Sequence, residues 1–135
     1  MILTDAGPLI ALIDHRDAEH TRCISAAERL TGPMLSTWPA FTEAMYLLGS
    51  RSGWRGQEPL WRMVRAGQLV LAETNGSMLA RMPALMEQYR YLPMDLADAS
   101  LVALAEEQRL REVFTLAGDF RVYRLPDGQA FNLVP

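Results

Sequence analysis

Lysine is missing from this chain: all 13 basic residues are arginine, set against 16 acids and two histidines. The net charge of −3 excludes a general nucleic-acid coating protein, which would be basic. It leaves room for an enzyme that grips a short stretch of RNA, because carboxylates gathered at a metal site pull the total down. Arginine offers planar, bidentate donors suited to phosphate. Cysteine is nearly missing too. Cys23 is the only thiol, so no internal disulfide forms and a reducing cytoplasm is the expected compartment. With no activating base nearby it reads as a small buried residue rather than a nucleophile. No apolar run approaches the roughly 20 residues that span a bilayer, and Met1 leads into a strand without the basic leader of a signal peptide. Neither a P-loop nor a Gly-x-Gly-x-x-Gly pattern occurs, which removes the phosphate cradles of nucleotide-binding folds. His15 and His20 have only Cys23 nearby, too few ligands for structural zinc, and read as surface or capping residues. Ser36, Ser50 and Ser52 lack nearby partners for triad chemistry.

What is present is enough for one domain: 135 residues, half of them hydrophobic, support a sizeable core. No repeat or linker divides them. Residues 1–5 read as a buried strand and Pro8 opens a short helix ending near Asp14. Asp17 caps a second helix to about Leu30, and Thr31-Gly32-Pro33 stops it. A second strand covers Met34 to Thr37. Trp38-Pro39 opens a helix to Gly49, a fourth helix runs from about Gln57 to Ala66, and Leu69 to Leu71 forms a third strand. Ser77 to Tyr89 is helical in pattern, with Pro83 kinking it or lying in its first turn. Asp95 starts the next helix. Val113 to Leu116 makes a fourth strand, and residues 131–134 a short edge strand. Strands alternating with helices predict a parallel sheet covered on both faces.

Four carboxylates stand where such a sheet binds ligands, outside the C-terminal ends of its strands. Asp5 ends the first apolar run, in Leu3-Thr4-Asp5-Ala6-Gly7-Pro8, and reads equally as a helix cap or a metal ligand. Glu43 sits among Phe41, Ala44, Met45, Leu47 and Leu48. It either points to water or is compensated by a cation. Asp95 and Asp98 share one helix start, Asp95 as the N-cap and Asp98 as a first-turn acid with small neighbours, Ala97 and Ala99, that admit a ligand. Asp119 follows the fourth strand, as a turn acid or a fourth ligand. Their convergence would create a pocket that repels itself unless it held Mg2+ or Mn2+, and phosphodiester cleavage is the natural chemistry of such a pocket. Elsewhere, Arg51, Arg55, Arg62 and Arg65 interleave with Trp54 and Trp61. They read as phosphate and stacking contacts or, for the tryptophans, as packing against core or partner. Arg121 and Arg124 lie close to Asp119, better placed to meet a phosphate.

These residues resemble the motifs of PIN-domain ribonucleases, of the VapC-like kind that forms the toxin half of bacterial toxin–antitoxin pairs. The likeness covers Ile2 to about Arg124. It lies in Leu3-Thr4-Asp5-Ala6-Gly7-Pro8-Leu9-Ile10, in Glu43 after Ser36-Thr37, in Leu96-Ala97-Asp98-Ala99, and in Thr115-Leu116 with Asp119-Phe120 and Tyr123-Arg124. The resemblance implies a single three-layer α/β, PIN-like nuclease domain over residues 1–135, a short parallel sheet flanked by helices. It implies that Asp5, Glu43, Asp98 and Asp119 are the catalytic acids and bind Mg2+ or Mn2+. Asp5 and Asp98 would be the most direct ligands, Glu43 would orient or deprotonate the attacking water, and Asp119 would complete the charge balance. Thr4, Asp95 and Thr115 would support them, by hydrogen bonds from the two hydroxyls. It further implies an RNA substrate, a small antitoxin, a homodimer and no membrane. One departure stands out: many relatives carry an acid directly after Thr-Leu, where this chain has Ala117 and then Gly118, so Asp119 would stand in from two positions later. Two other readings stay open. One is a catalytically weak or inactive binding module on the same fold, and the other a metal-dependent hydrolase of a small phosphorylated metabolite.

Overall fold

Short apolar strands with side chains alternating between two faces build the centre of the molecule. In the computed structural model, which describes residues 1–135, five parallel strands form one sheet in the order β3-β2-β1-β4-β5. They are β1 (Ile2–Thr4), β2 (Met34–Thr37), β3 (Leu69–Ala72), β4 (Glu112–Phe114) and β5 (Asn132–Val134). The register pairs Ile2 with Met34 and Leu3 with Val113. Neighbouring residues go to opposite faces, as the period of two in a strand requires. Ile2, Met34 and Phe114 enter a core with α1 (Ala6–Ile13), α2 (His20–Glu28), α3 (Trp38–Ser52) and α4 (Trp54–Arg65). Leu3, Leu35 and Val113 enter a second core with α5 (Gly76–Gln88) and α6 (Leu96–Gln108). The domain is thus three layers, helices over both faces of a parallel sheet, as the alternation of elements predicts.

Three helix boundaries depart from the sequence reading. The third helix does not stop at Gly49 but runs to Ser52, and α4 begins at Trp54. The break is Gly53, whose φ of +61° ends one helix and starts the next. Gly49 and Gly56 are small for another reason. A Cβ at 49 would collide with the Gln57 side chain, and one at 56 would lie 2.9 Å from the Leu48 carbonyl oxygen. Both positions let α3 and α4 approach closely. The second helix starts three residues after Asp17, which instead accepts from the Glu19 amide (2.9 Å) and anchors a turn. Pro83 lies inside α5 rather than in its first turn. It and Leu79, whose carbonyl it leaves without a helical donor, both face solvent, so water can satisfy the lost bond.

The helix α6 positions the chemistry. It is buried without interruption from Ala97 to Ala105, because α3, α5 and the sheet enclose it. A chain of hydroxyls fixes its first turn against β2. Ser100 donates to the Ala97 carbonyl (2.7 Å), so Thr37 is the donor in their 2.6 Å contact. Thr37 also caps α3 through the Ala40 amide. Thr37→Ala removes the cap and a buried bond together, and should cost about 1–2 kcal/mol in urea unfolding.

Candidate active site

The strand order reverses at β1: the chain adds β2 and β3 on one side, then β4 and β5 on the other. Such a switch point leaves a crevice outside the C-terminal strand ends. Asp5 leaves β1 and Thr115 leaves β4 at this crevice, and Thr115 Oγ1 donates to Asp5 Oδ2 across it (2.9 Å). Asp5 Oδ1 accepts from the Ala6 amide (2.8 Å), so the helix-cap reading and the place at the strand edge coexist. Thr115 is itself fixed by the Ala117 amide, which donates to its hydroxyl (3.0 Å). Thr4 plays no such part: its hydroxyl donates to the Ile2 carbonyl (3.1 Å), away from any carboxylate.

Asp98 enters from the first turn of α6. Asp95 is its N-cap, accepting from the Asp98 amide (2.8 Å), as the spacing predicts. Asp98 and Asp5 are each only 7% exposed. Tyr123, wholly buried, donates its hydroxyl to Asp98 Oδ2 (2.7 Å) and leaves Oδ1 without a donor from the chain. The tyrosine ring is held by edge contacts with Tyr89 and Phe120 at centroid distances of 4.9 and 5.1 Å. Glu43 on α3 and Asp119 in a 3-10 turn (Gly118–Arg121) are exposed at the rim.

The charges of these acids act on one another. Burial pushes the Asp98 carboxyl up to about 7; the Tyr123 hydrogen bond opposes this, and the charges of Asp5, Asp95 and Asp119 add to it. Asp5 is raised chiefly by burial, against the pull of the Ala6 and Thr115 hydrogen bonds, with Asp95 adding to it. Glu43 is raised by partial burial and by Asp5 and Asp95. Tyr123 is pushed up by burial and by the carboxylate it serves. All five acids therefore belong to one field of negative charge. Their donors are all oxygen, which suits a hard cation such as Mg2+ or Mn2+. No three of them are gathered tightly enough to hold an ion by themselves. Mg2+ keeps several waters and needs only one or two carboxylates from a protein.

The remaining candidates settle elsewhere. Arg51 is committed to Asp14 (3.1 Å) and Asp17 (2.9 Å), and Arg62 and Arg65 to Glu58. Trp61 packs edge-on against Phe41 (5.1 Å), while Trp54 is exposed. Arg124 turns its guanidinium onto the carbonyls of Arg121, Val122 and Tyr123, closing the 3-10 turn. Of the two arginines beside Asp119, only Arg121 keeps its guanidinium free. His15 stacks on His20, whose Nδ1 meets the Ala11 carbonyl. Cys23 is buried with its thiol pushed up to about 11, no nucleophile. No helix is long and apolar enough to cross a membrane.

No family model matches the sequence, and no curated protein is found similar to it. Solved structures are similar in fold. VapC20 of Mycobacterium tuberculosis, described as a toxin that cleaves the sarcin–ricin loop, superposes with a TM-score of 0.84 at 16% identity, over 90% of this chain and 94% of that one. The fold is that of the VapC toxins. Other structures repeat this PIN-like arrangement. VapBC2 from Rickettsia felis, bound to a DNA fragment from its promoter, matches over 100% of both chains with a TM-score of 0.69 at 12% identity. A toxin–antitoxin complex from Klebsiella pneumoniae matches over 89% of this chain and 90% of that one, with a TM-score of 0.67 at 24% identity. The residue missed in the sequence is Tyr123, noted there only as part of a motif. Nothing in its neighbourhood Phe120-Arg121-Val122-Tyr123 distinguishes a tyrosine that braces a carboxylate from one that fills a core.

Proposed function

We propose that this chain is a metal-dependent endoribonuclease that hydrolyses RNA phosphodiester bonds, and that it is the toxin of a toxin–antitoxin pair. The observation that carries the reading is the pair of buried carboxylates, Asp5 and Asp98, facing each other's charge at the switch point of a parallel sheet. Neither has a cationic side chain to compensate it. Burial without a counter-charge is costly, and a bound cation would offset that cost. Asp5 and Asp98 would hold Mg2+ or Mn2+, with Asp119 close enough to share the charge. The bound ion would supply a more acidic water and a clamp for phosphate oxygens.

The chain's own residues prepare the rest. Thr115 and Tyr123 each occupy one carboxylate oxygen, which fixes the rotation of both groups. Glu43, exposed on α3 with its pKa raised by partial burial and by Asp5 and Asp95, can accept a proton from an attacking water. Arg121 is free to meet the phosphate. A small antitoxin partner belongs to the same reading, supported by the toxin–antitoxin complexes among the similar folds, and a homodimer is proposed with it. The test is RNA cleavage by the purified protein with Mg2+, with Mn2+ and with chelator. Cleavage under one of the metals and none in chelator is expected; no cleavage under either metal refutes it.

Ala117 favours a second reading. The turn after β4 offers no acid until Asp119, which is exposed and accepts no hydrogen bond on its side chain. A weak or inactive binding module would show no saturable uptake of Mn2+ in calorimetry, whereas the nuclease reading expects saturable uptake.

A further inference from the structure

Beside the acids the surface changes character. A shallow groove of about 740 Å³ runs between the first half of α3 and the first turn of α6, and Glu43 and Asp95 form part of its wall. Trp38, Thr42 and Tyr46 succeed one another at intervals of four and so form one row along α3. Trp38 is 46% exposed, Tyr46 72% and Leu96, across the groove, 52%. These side chains are not spent on the core. Trp38 touches Phe41 only with an edge (5.5 Å), and Tyr46 has no aromatic neighbour and no hydrogen bond on its hydroxyl.

No arginine or histidine lines this groove, and its only charges are the two carboxylates. Such a wall gives a phosphate group no partner. What it complements is a flat, uncharged ring that brings N–H donors. Trp38 and Tyr46 lie eight residues apart, about 12 Å along the helix axis, and Glu43 falls between them in the next row. Asp95 uses Oδ1 for its cap and keeps Oδ2 without a donor. Glu43 is common to this groove and to the acids of the candidate site, so an RNA whose phosphodiester is attacked beside Glu43 would bring a neighbouring nucleotide to this wall.

We propose that Trp38 and Tyr46 are stacking platforms for unpaired bases on the two sides of the scissile bond, and that the Asp95 carboxylate favours bases carrying an exocyclic amino group. The inference rests on the nuclease reading and deepens it to a substrate class: single-stranded segments containing cytosine, adenine or guanine rather than uracil runs. Stacking on an aromatic side chain is strong and tolerant of sequence, and carboxylates accept from the amino group of cytosine. The first property gives affinity and the second gives preference.

The test separates binding from cleavage. In an Asp98→Asn background, labelled oligocytidylate, oligouridylate and an abasic oligomer of equal length are titrated by fluorescence anisotropy. Trp38→Ala and Tyr46→Ala should each weaken oligocytidylate binding about tenfold or more and leave the abasic oligomer unchanged. Oligouridylate should bind several-fold more weakly than oligocytidylate at the outset. Tyr46, the more exposed ring, keeps the test sound should Trp38→Ala disturb folding. In the protein with Asp98 intact, both substitutions should lower kcat/KM chiefly through KM. Unchanged oligocytidylate affinity in both variants overturns the proposal, and so does equal affinity for the two homopolymers. It is likewise overturned if the substitutions abolish self-association in sedimentation while RNA binding persists, because the face then belongs to a second copy. The nuclease reading fails separately, when the unsubstituted protein cleaves no RNA under Mg2+ or Mn2+.

Discussion

Asp98→Asn is expected to lower RNA cleavage by at least about a hundredfold and, in metal-free protein at pH 8, to raise the melting temperature by several degrees. The two effects have one cause. Asp98 is held at about 7 in the folded chain against an ordinary value of 3.8, mostly by burial and further by the charges of Asp5, Asp95 and Asp119. Between those values the folded chain holds a proton that the unfolded chain has released, so stability falls as pH rises, by up to about 1.4 kcal/mol per pH unit. The stability from this group is complete below about pH 4 and lost as pH passes through 7. Asp5, also raised, acts in the same direction. Asparagine keeps the shape and can still accept from Tyr123, but it carries no charge to desolvate. Thermal unfolding in chelator at pH 5 and pH 8 measures this: the parent loses stability over that interval and the variant loses much less. Adding Mn2+ should reverse the ranking, since an ion bound to the folded state alone stabilises it by mass action and the variant has surrendered a carboxylate ligand. A variant that is less stable than the parent at pH 8 without metal would show that Asp98 is a structural acid.

The opposition of activity and stability at one residue explains what was legible in the sequence. Local signals carry far. The apolar alternation of Ile2-Leu3 and Val113-Phe114 specifies a sheet buried on both faces, and Asp95 reads as the cap of α6 from its spacing alone. The placement of Asp5 and Asp98 at one edge follows from the parallel sheet. Their partners do not, because the Thr115–Asp5 contact spans 110 residues and the Tyr123–Asp98 contact depends on how the 3-10 turn lays one ring between two others. Nor does the sequence reveal that Glu43, amid apolar neighbours, is exposed, since that depends on which side of α3 the sheet covers. The run from Arg51 to Arg65 misleads for a further reason. Its arginines look available for phosphate until Asp14, Asp17 and Glu58 are seen to hold three of the four basic side chains at 51, 55, 62 and 65.

Tyr123→Phe removes a buried hydroxyl whose role the sequence conceals. Phenylalanine preserves the ring and its edge contacts with Tyr89 and Phe120, so the fold is retained while Asp98 Oδ2 loses its donor. Two consequences follow. The carboxyl, no longer favoured in its charged form by that hydrogen bond, moves further up from about 7. It also loses its fixed rotation, and removing such an outer partner typically costs about 10- to 100-fold in metal affinity. Mn2+ calorimetry at pH 7 should show a loss of that size, and raising the pH to 8.5 should recover part of it, because deprotonation is restored but orientation is not. Tyr89→Phe is the control: the Tyr89 hydroxyl accepts from the Arg124 amide (3.0 Å) and touches no carboxylate, so Mn2+ affinity should stay unchanged. Equal affinities for parent and Tyr123→Phe would mean that the hydroxyl only satisfies a buried oxygen. A loss confined to Tyr123→Phe, and only partly recovered at high pH, would mean that the ring and its hydroxyl hold the ligand in place.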